Sequence, residues 1–503
     1  MANGQGVKQR VISFYLDDFE KALFPLETCK FMIENSYDLL DKYVQKIADD
    51  TSLKCCFLPQ QVVHASKPKH HLRRTKKLDP VAEFYIYHFC YKFRHELKSP
   101  KLPNRKVHGY HFKGGSPVSI SDAFQSYNEE IEELKGEYNY HIHFDIASYF
   151  NSIYHHDLVN CVASRIDSVK EVELFGKFMR EINAGFSIDF LPHGIYPTKM
   201  LGSSFLSYID NSAFVKSEVM TRFMDDFFIA SNSLESVMED FHSIQKLLGQ
   251  KSLNINANKT KIQSDGPIGI ENQARSLVSE LLNLDVGQNA FGSGIGDLSE
   301  LEVIESEKID ELIKLADGHD VTDQDANYIL EALKHLTDDL HIYLIQFANK
   351  NPSLMKKVFL FCAKCEDMDE LANGFLDLVQ STAYLSEYQL FWIAKITETY
   401  LLDAKNANSL VRELYSHRNS TPISKAKILE IPTNKFGLQE LREANLKNGT
   451  SSWLSWASAV GSRNESKIIK DYLMKYFMNV SDINNLIGSA VKSYSGGNAN
   501  LNQ

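Results

Sequence analysis

No run of eighteen apolar residues occurs in this 503-residue chain, so no segment reads as a membrane-spanning helix. The first residues, Met1-Ala-Asn-Gly-Gln-Gly6, are polar and lack the hydrophobic stretch of a signal peptide. Cysteine is sparse and odd in number, seven in all, which argues against a disulfide framework and for a reducing, cytoplasmic setting. The lone Cys362-Ala-Lys-Cys365 has no second pair at zinc-site spacing. It lies among Val358, Leu360 and Phe361, so it reads as core. Acid exceeds base, with a formal net charge of -11, which on its face disfavours a nucleic-acid partner.

The charge is unevenly spread, however. Residues 60–113 carry thirteen lysines and arginines against Asp79, Glu83 and Glu96. A basic segment on an acidic protein can grip phosphates while the whole stays soluble.

The length implies two or three domains. Residues 1–137 read as N-terminal helices followed by a basic, irregular stretch around an aromatic helix or strand at Phe84–Phe93. Residues 138–265 alternate strands and helices: Tyr140–Ile146 and Phe223–Ala230 are strand-like, and Leu234–Leu248 is amphipathic. Residues 266–300 hold six glycines and read as a linker. From 301 to 492 the period turns helical, as in Ile309, Leu312, Ile313 and Ala316, or Ile329, Leu333 and Leu336. Stacked helix pairs without a strict sequence repeat are expected there, then a disordered tail over 493–503. The fold class is α+β, followed by an all-α domain.

Chemistry concentrates in Arg222-Phe-Met-Asp225-Asp226-Phe-Phe-Ile-Ala230. Two adjacent carboxylates between short apolar runs sit where a hairpin would present them at its tip. Like charges there cost desolvation and repulsion, so stability does not explain them. Divalent cations do: nucleotidyl transfer uses two Mg²⁺, with Mn²⁺ as the substitute, and Mg²⁺ favours carboxylate oxygens. A second strand must then bring another acid alongside. Asp145 closes the alternating strand Ile142/Phe144/Ile146 and is the candidate, in preference to a helix-capping role. Tyr15-Leu-Asp17-Asp18 also spells an Asp pair. It precedes a helix-like start and lacks a second apolar strand, so it is read as capping. His141, His143, His155 and His156 lie near Asp145 and are expected to pack and hydrogen-bond rather than hold metal.

Four segments, taken in order, resemble the motifs of reverse transcriptases. Asp145-Ile-Ala-Ser-Tyr-Phe-Asn-Ser-Ile153 resembles motif A, in which an aromatic five residues after the Asp blocks a ribose 2′-hydroxyl; here that residue is Phe150. Leu191-Pro-His-Gly-Ile-Tyr-Pro-Thr198 resembles motif B, with His193 in place of the usual Gln. Phe223-Met-Asp-Asp226 resembles motif C, and Leu253-Asn-Ile-Asn-Ala-Asn-Lys-Thr260 resembles motif D, whose lysine is Lys259. The resemblance implies fingers and palm. Asp145, Asp225 and Asp226 would hold the metals and Lys259 would assist catalysis. Phe150, Pro192, Gly194, Arg105, Lys106 and Lys113 would surround a deoxynucleoside triphosphate.

The chain has no Val-Thr-Gly of retron enzymes, no Cys-paired endonuclease and no RNase H constellation. It looks most like the abortive-infection (Abi) polymerases of bacteria, the shorter prophage-encoded kind, which join fingers and palm to an α-helical HEAT-like domain. That resemblance implies phage defence and DNA synthesis without a template. Priming would come from a protein tyrosine, leaving single-stranded DNA covalently attached, and the protein would be a homo-oligomer, a trimer or larger. Tyr15 is the tyrosine proposed as primer. The competing readings are a template-copying reverse transcriptase and a non-catalytic nucleic-acid-binding scaffold.

Overall fold

The computed structural model describes residues 2–50, 55–99, 102–264 and 339–495, with a few more between 326 and 333. The glycine-rich 266–300, the helical spacing at 309–316 and the tail after 495 lie outside the described residues. The chain forms two compact units. One comprises 1–25, 36–62 and 75–269; the other comprises 26–35, 63–74 and 270–503. Segments 26–35 and 63–74, expected with the N-terminal helices and basic fingers, thus belong to the second unit.

The N-terminal helices are α1 (Ala2–Phe19), α2 (Glu27–Asn35) and α3 (Tyr37–Asp49). Strands β1 (Gln61–Ser66) and β2 (Leu72–Lys77) pair, and α4 (Pro80–Lys92) follows. The aromatic segment at 84–93 is therefore helical. Asp79 accepts from the backbone N–H of Val81 and Ala82, and Pro80 sits in the first turn, so the start is doubly specified. Helix α4 is buried nearly all round, which explains its lack of a polar face.

Next come β3 (Arg105–His108), β4 (Phe112–Lys113), β5 (Ser116–Pro117), α5 (Ile120–Glu137) and β6 (Tyr140–Asp145). After α6 (His155–Ala163), α7 (Val169–Ile182), α8 (Tyr196–Phe205) and α9 (Ser207–Asp210), the hairpin β7 (Val219–Phe223) and β8 (Asp226–Ser231) leads to α10 (Leu234–Gly249) and β9 (Lys261–Ser264). A five-stranded sheet orders these strands β3-β7-β8-β6-β9. Its edge strand β3, parallel to β7, comes from the basic segment expected to form fingers. On one side Tyr127, Ile131 and Leu134 of α5 pack on Phe228 and Ala230. Phe144 stacks on Phe227 at 5.3 Å and meets Phe241 of α10 at 5.2 Å. The alternation read in 142–146 is a buried face: Ile142, Phe144 and Ile146 are at most 2% exposed.

The basic segment is partly internal. Lys77 pairs with Glu83, both buried, and buried Lys76 donates to the Ile182 carbonyl. Lys92 pairs with Glu171 and Lys106 with Glu130. The net charge of the sequence window overstates what is offered to phosphate.

The second unit continues with α11 (Leu340–Lys350), α12 (Met355–Cys362), α13 (Met368–Ser381), α14 (Glu387–Ile396), α15 (Ala407–Ser416) and α16 (Pro422–Leu429). It closes with α17 (Leu438–Lys447), α18 (Trp453–Gly461), α19 (Lys467–Phe477) and α20 (Asp482–Ser493). From α11 on, helices pack mostly on the next but one: α11 on α13, α12 on α14, α13 on α15, α14 on α16, α16 on α18, α17 on α19 and α18 on α20. Trp453 and Trp456 are core residues, as are the free thiols Cys362 and Cys365. Burial pushes both thiols up in pKa, Cys365 to about 11. Helix α2 joins this stack. Its first backbone N–H groups, on Glu27 and Thr28, donate to the buried carboxylate of Glu430 at 2.9 and 2.7 Å.

No described helix is long and apolar enough to cross a membrane.

Candidate active site

Strand pairing brings the acids together. In the β6–β8 register Asp145 lies opposite Asp226. Met224 and Asp225 form the two-residue turn between β7 and β8, with Met224 at φ +59° where glycine would be expected. The tip is anchored from both sides: the Ile146 N–H donates to the Asp225 carbonyl at 3.1 Å, and buried Arg222 donates to the Met224 carbonyl at 3.0 Å. Arg222 also binds Asp210 through two bonds of 2.6 and 2.7 Å and the Ser203 carbonyl at 2.9 Å. The hairpin that carries the acids thus rests on a buried ion pair.

The electrostatics are those of a site built for cations. Burial, compounded by the Asp145 and Asp226 carboxylates, pushes Asp225 up to about 6. Asp145 Oδ2 receives Lys259 Nζ at 2.8 Å, whereas its buried Oδ1 has no hydrogen-bond partner. An orphaned carboxylate oxygen beside a crowded second acid fits an oxygen-seeking divalent ion. No three His, Cys, Asp or Glu side chains among the described residues converge as a metal cluster. Asp226 Oδ1 is engaged by His143 Nε2 at 2.5 Å and by the Tyr127 hydroxyl at 3.3 Å.

The segment of Lys259 docks on the end of β6. The Asn256 N–H donates to the Asp145 carbonyl at 2.8 Å and the Ala147 N–H to the Asn254 carbonyl at 2.7 Å. This carries the exposed Lys259 to the acids. Phe150 is tied to the 191–198 segment through its carbonyl, which accepts from the Leu191 N–H at 2.8 Å. Its ring lies 4.2 Å from that of His193.

Several expected substrate contacts are placed differently. The Arg105 guanidinium donates to the carbonyls of Val215 and Ser217 and so fastens β3 rather than offering itself to phosphate. Arg105, Lys106 and Lys113, with Lys98, line one cavity of about 500 Å³ that no acidic side chain among the described residues lines. Pro192 and Gly194 line a cavity of about 20 Å³ closed by Leu23 and Thr75, room for roughly one water. Gly194 has φ +111°, and a Cβ there would meet Leu23 at 2.5 Å, so glycine serves packing.

Tyr15 is 1% exposed. Its phenol donates to Glu83 at 2.8 Å and its ring packs on Tyr87, so this arrangement does not present it as an acceptor for DNA. Asp18 is structural as expected, but not as the cap of a following helix. It ends α1 and accepts from the Tyr196 N–H, at the start of α8, at 2.7 Å.

The sequence reading missed Tyr127, Arg222 and Gly202. Only His143 carried a signal, being two residues before Asp145 and hence on the same strand face. His141 stacks on Phe228, and His155 bonds the Phe190 carbonyl, as packing residues do. A Cβ on Gly202 would lie 3.3 Å from Tyr149, 3.4 Å from Met224 and 3.6 Å from Phe150. Only the Tyr149 contact is tighter than ordinary packing, so Gly202→Ala is expected to shift that ring by tenths of an ångström and to cost no more than about 1 kcal/mol of stability. Turnover should fall by no more than about tenfold. Steady-state kinetics on folded protein check this; a larger loss would show that the ring cannot give way.

Residues 105–280 match the family model described as reverse transcriptase (RNA-dependent DNA polymerase). No curated protein matches the chain. Among solved structures, a Candida albicans telomerase with a fragment of telomeric RNA is 12% identical. It aligns over 76% of this chain and 68% of its own, at a TM-score of 0.33. An apo telomerase from Candida tropicalis is 12% identical over 76% and 73%, at 0.30.

Proposed function

We propose that this chain, which carries a reverse-transcriptase-type polymerase domain, joins deoxynucleotides into DNA without a template. In this reading it starts from one of its own tyrosines and so defends a bacterium against phage. The observation that carries polymerisation is the β6–β8 register, which sets Asp145 beside the Asp225-Asp226 tip. Two divalent cations, when bound, would lower the pKa of the attacking hydroxyl and stabilise departing pyrophosphate.

The residues' own parts follow. Asp145 and Asp225 supply the cation-holding oxygens, and Asp226 completes the acidic tip. Lys259, anchored on Asp145, brings positive charge to the side where the leaving group gathers negative charge. Phe150, whose ring is braced by His193, would in this reading exclude a ribose 2′-hydroxyl, as the motif A resemblance implies.

Independence from a template is supported by His193 standing where the resemblance expects the template-handling Gln. The next-but-one stacking of the second unit supports a HEAT-like domain, and with it the abortive-infection reading. The homo-oligomer and the covalent DNA product belong to the same proposal. A second reading, copying of an RNA template, draws on the matched family's name.

One experiment separates them. Purified protein receives Mg²⁺ and labelled deoxynucleotides without primer or template and is run on a denaturing gel. Label that stays with the protein, is released by protease and maps to a tyrosine peptide is the expected result; ribonucleotides should not label it. Incorporation seen only with added RNA template and primer would replace this reading with the second.

A further inference from the structure

The two acids of the hairpin tip are not held alike. His143 shares a strand face with Asp145 and pairs with Phe228 across β8, which makes Asp226 its diagonal neighbour. The 2.5 Å contact between its Nε2 and Asp226 Oδ1 uses that diagonal. From α5, the Tyr127 hydroxyl reaches the same oxygen at 3.3 Å and the Asp226 backbone carbonyl at 3.2 Å. Tyr127 is 1% exposed, and its ring is flanked by Phe223 and His108 at 6.0 and 5.7 Å. Asp145 is engaged from the other direction, its Oδ2 by Lys259, while its buried Oδ1 has no hydrogen-bond partner.

We propose that His143 and Tyr127 are positioning residues that hold the Asp226 carboxylate turned away from the cations, so that Asp226 pins the hairpin tip to β6 and α5. The proposal rests on the reading of this centre as a two-cation polymerase site. Neither residue touches the reacting atoms; both act through Asp226. Their work is to keep the tip in one place, a condition that a turn built on a non-glycine residue with positive φ does not meet by itself.

Mn²⁺ titration of the full chain, followed by the electron paramagnetic resonance signal, counts bound ions without turnover. Asp225→Asn is expected to weaken Mn²⁺ binding by about tenfold or more, and Asp226→Asn by no more than about threefold. His143→Ala should lower kcat by about 10–100-fold with little change in KM for deoxynucleotide. It should also alter the spectrum of bound Mn²⁺, because Asp226 is released toward the ions. His143→Gln, whose amide N–H can serve the same oxygen, should restore both rate and spectrum, and Tyr127→Phe should act in the direction of His143→Ala. Thermal melts confirm that each variant is folded.

Equal weakening by Asp225→Asn and Asp226→Asn overturns the proposal, as does a His143→Ala protein with unaltered spectrum or a glutamine that rescues nothing. If the unaltered chain binds no Mn²⁺, the cation reading itself falls, and the proposal with it. The two failures are therefore distinguishable.

Discussion

Asp225→Asn is expected to lower nucleotide incorporation by ~10³-fold or more, equivalent to about 4 kcal/mol of transition-state stabilisation. The same change should make the cation-free protein more stable. The two effects share one cause. Burial, with Asp145 and Asp226 alongside, pushes Asp225 up to about 6 in the folded chain, whereas an unfolded Asp titrates near 4. A carboxyl with a raised folded pKa prefers to be protonated in the fold, so its ionisation works against folding. That cost is absent below about pH 4, grows as pH rises through 6, and approaches roughly 2–3 kcal/mol at neutral pH. Asparagine does not incur it. In chelator at pH 7.5, Asp225→Asn should melt several degrees above the unaltered protein, and the gap should narrow toward pH 5. Added Mg²⁺ should raise the melting temperature of the unaltered protein by more than that of the variant. A variant less stable in chelator at pH 7.5, or a gap indifferent to pH, would show that the acids are not crowded at the cost of stability.

The second large effect is structural. Arg222→Met is expected to cost about 3–5 kcal/mol, because it strands the buried Asp210 carboxylate without its partner. The melting temperature should drop on the order of 10 °C. Adding Asp210→Asn should return much of that loss by removing the stranded charge. Activity should not return, since the donor to the Met224 carbonyl is still missing and the turn is held from one side only. Recovery of full activity in the double variant would make Arg222 a stability residue alone.

The acids were legible in the sequence because folding gives no reason for them. Paired aspartates between apolar runs need another explanation, and Asp145 is marked by a strict period of two. Lys259 was legible only as part of a family motif; the backbone bonds at Ala147 and Asn256 that carry it to Asp145 leave no local trace. Strand β3 was not legible as part of the five-stranded sheet. Arg105-Lys-Val-His108 has one apolar residue and no alternation, and it is a strand because β7 accepts it along one edge. The basic stretch misled for a related reason. Glu130 and Glu171, which pair with Lys106 and Lys92, lie 24 and 79 residues further along the chain, outside the 60–113 window over which the charge was summed. Tyr127 and Gly202 sit in helices where nothing in the local pattern distinguishes them from core. Asp17-Asp18 was rightly set aside, yet the helix that Asp18 serves begins 178 residues later.

The clasp of helix α2 by Glu430 bears on how the chain comes to be assembled. The two halves of that contact are 403 residues apart in the order of synthesis. At a typical 5–20 residues per second, a ribosome needs roughly 20–80 s to deliver the carboxylate after the helix has emerged. Through that interval Phe31, Met32 and Ile33 wait without the α18 and α20 helices that α2 packs on, while every strand of the five-stranded sheet is already available to pair. The nascent chain can therefore complete its five-stranded sheet while the apolar face of α2 still waits for the C-terminal helices that cover it. Helper proteins that shield exposed apolar segments would find their substrate there, and a stalled ribosome would leave it exposed.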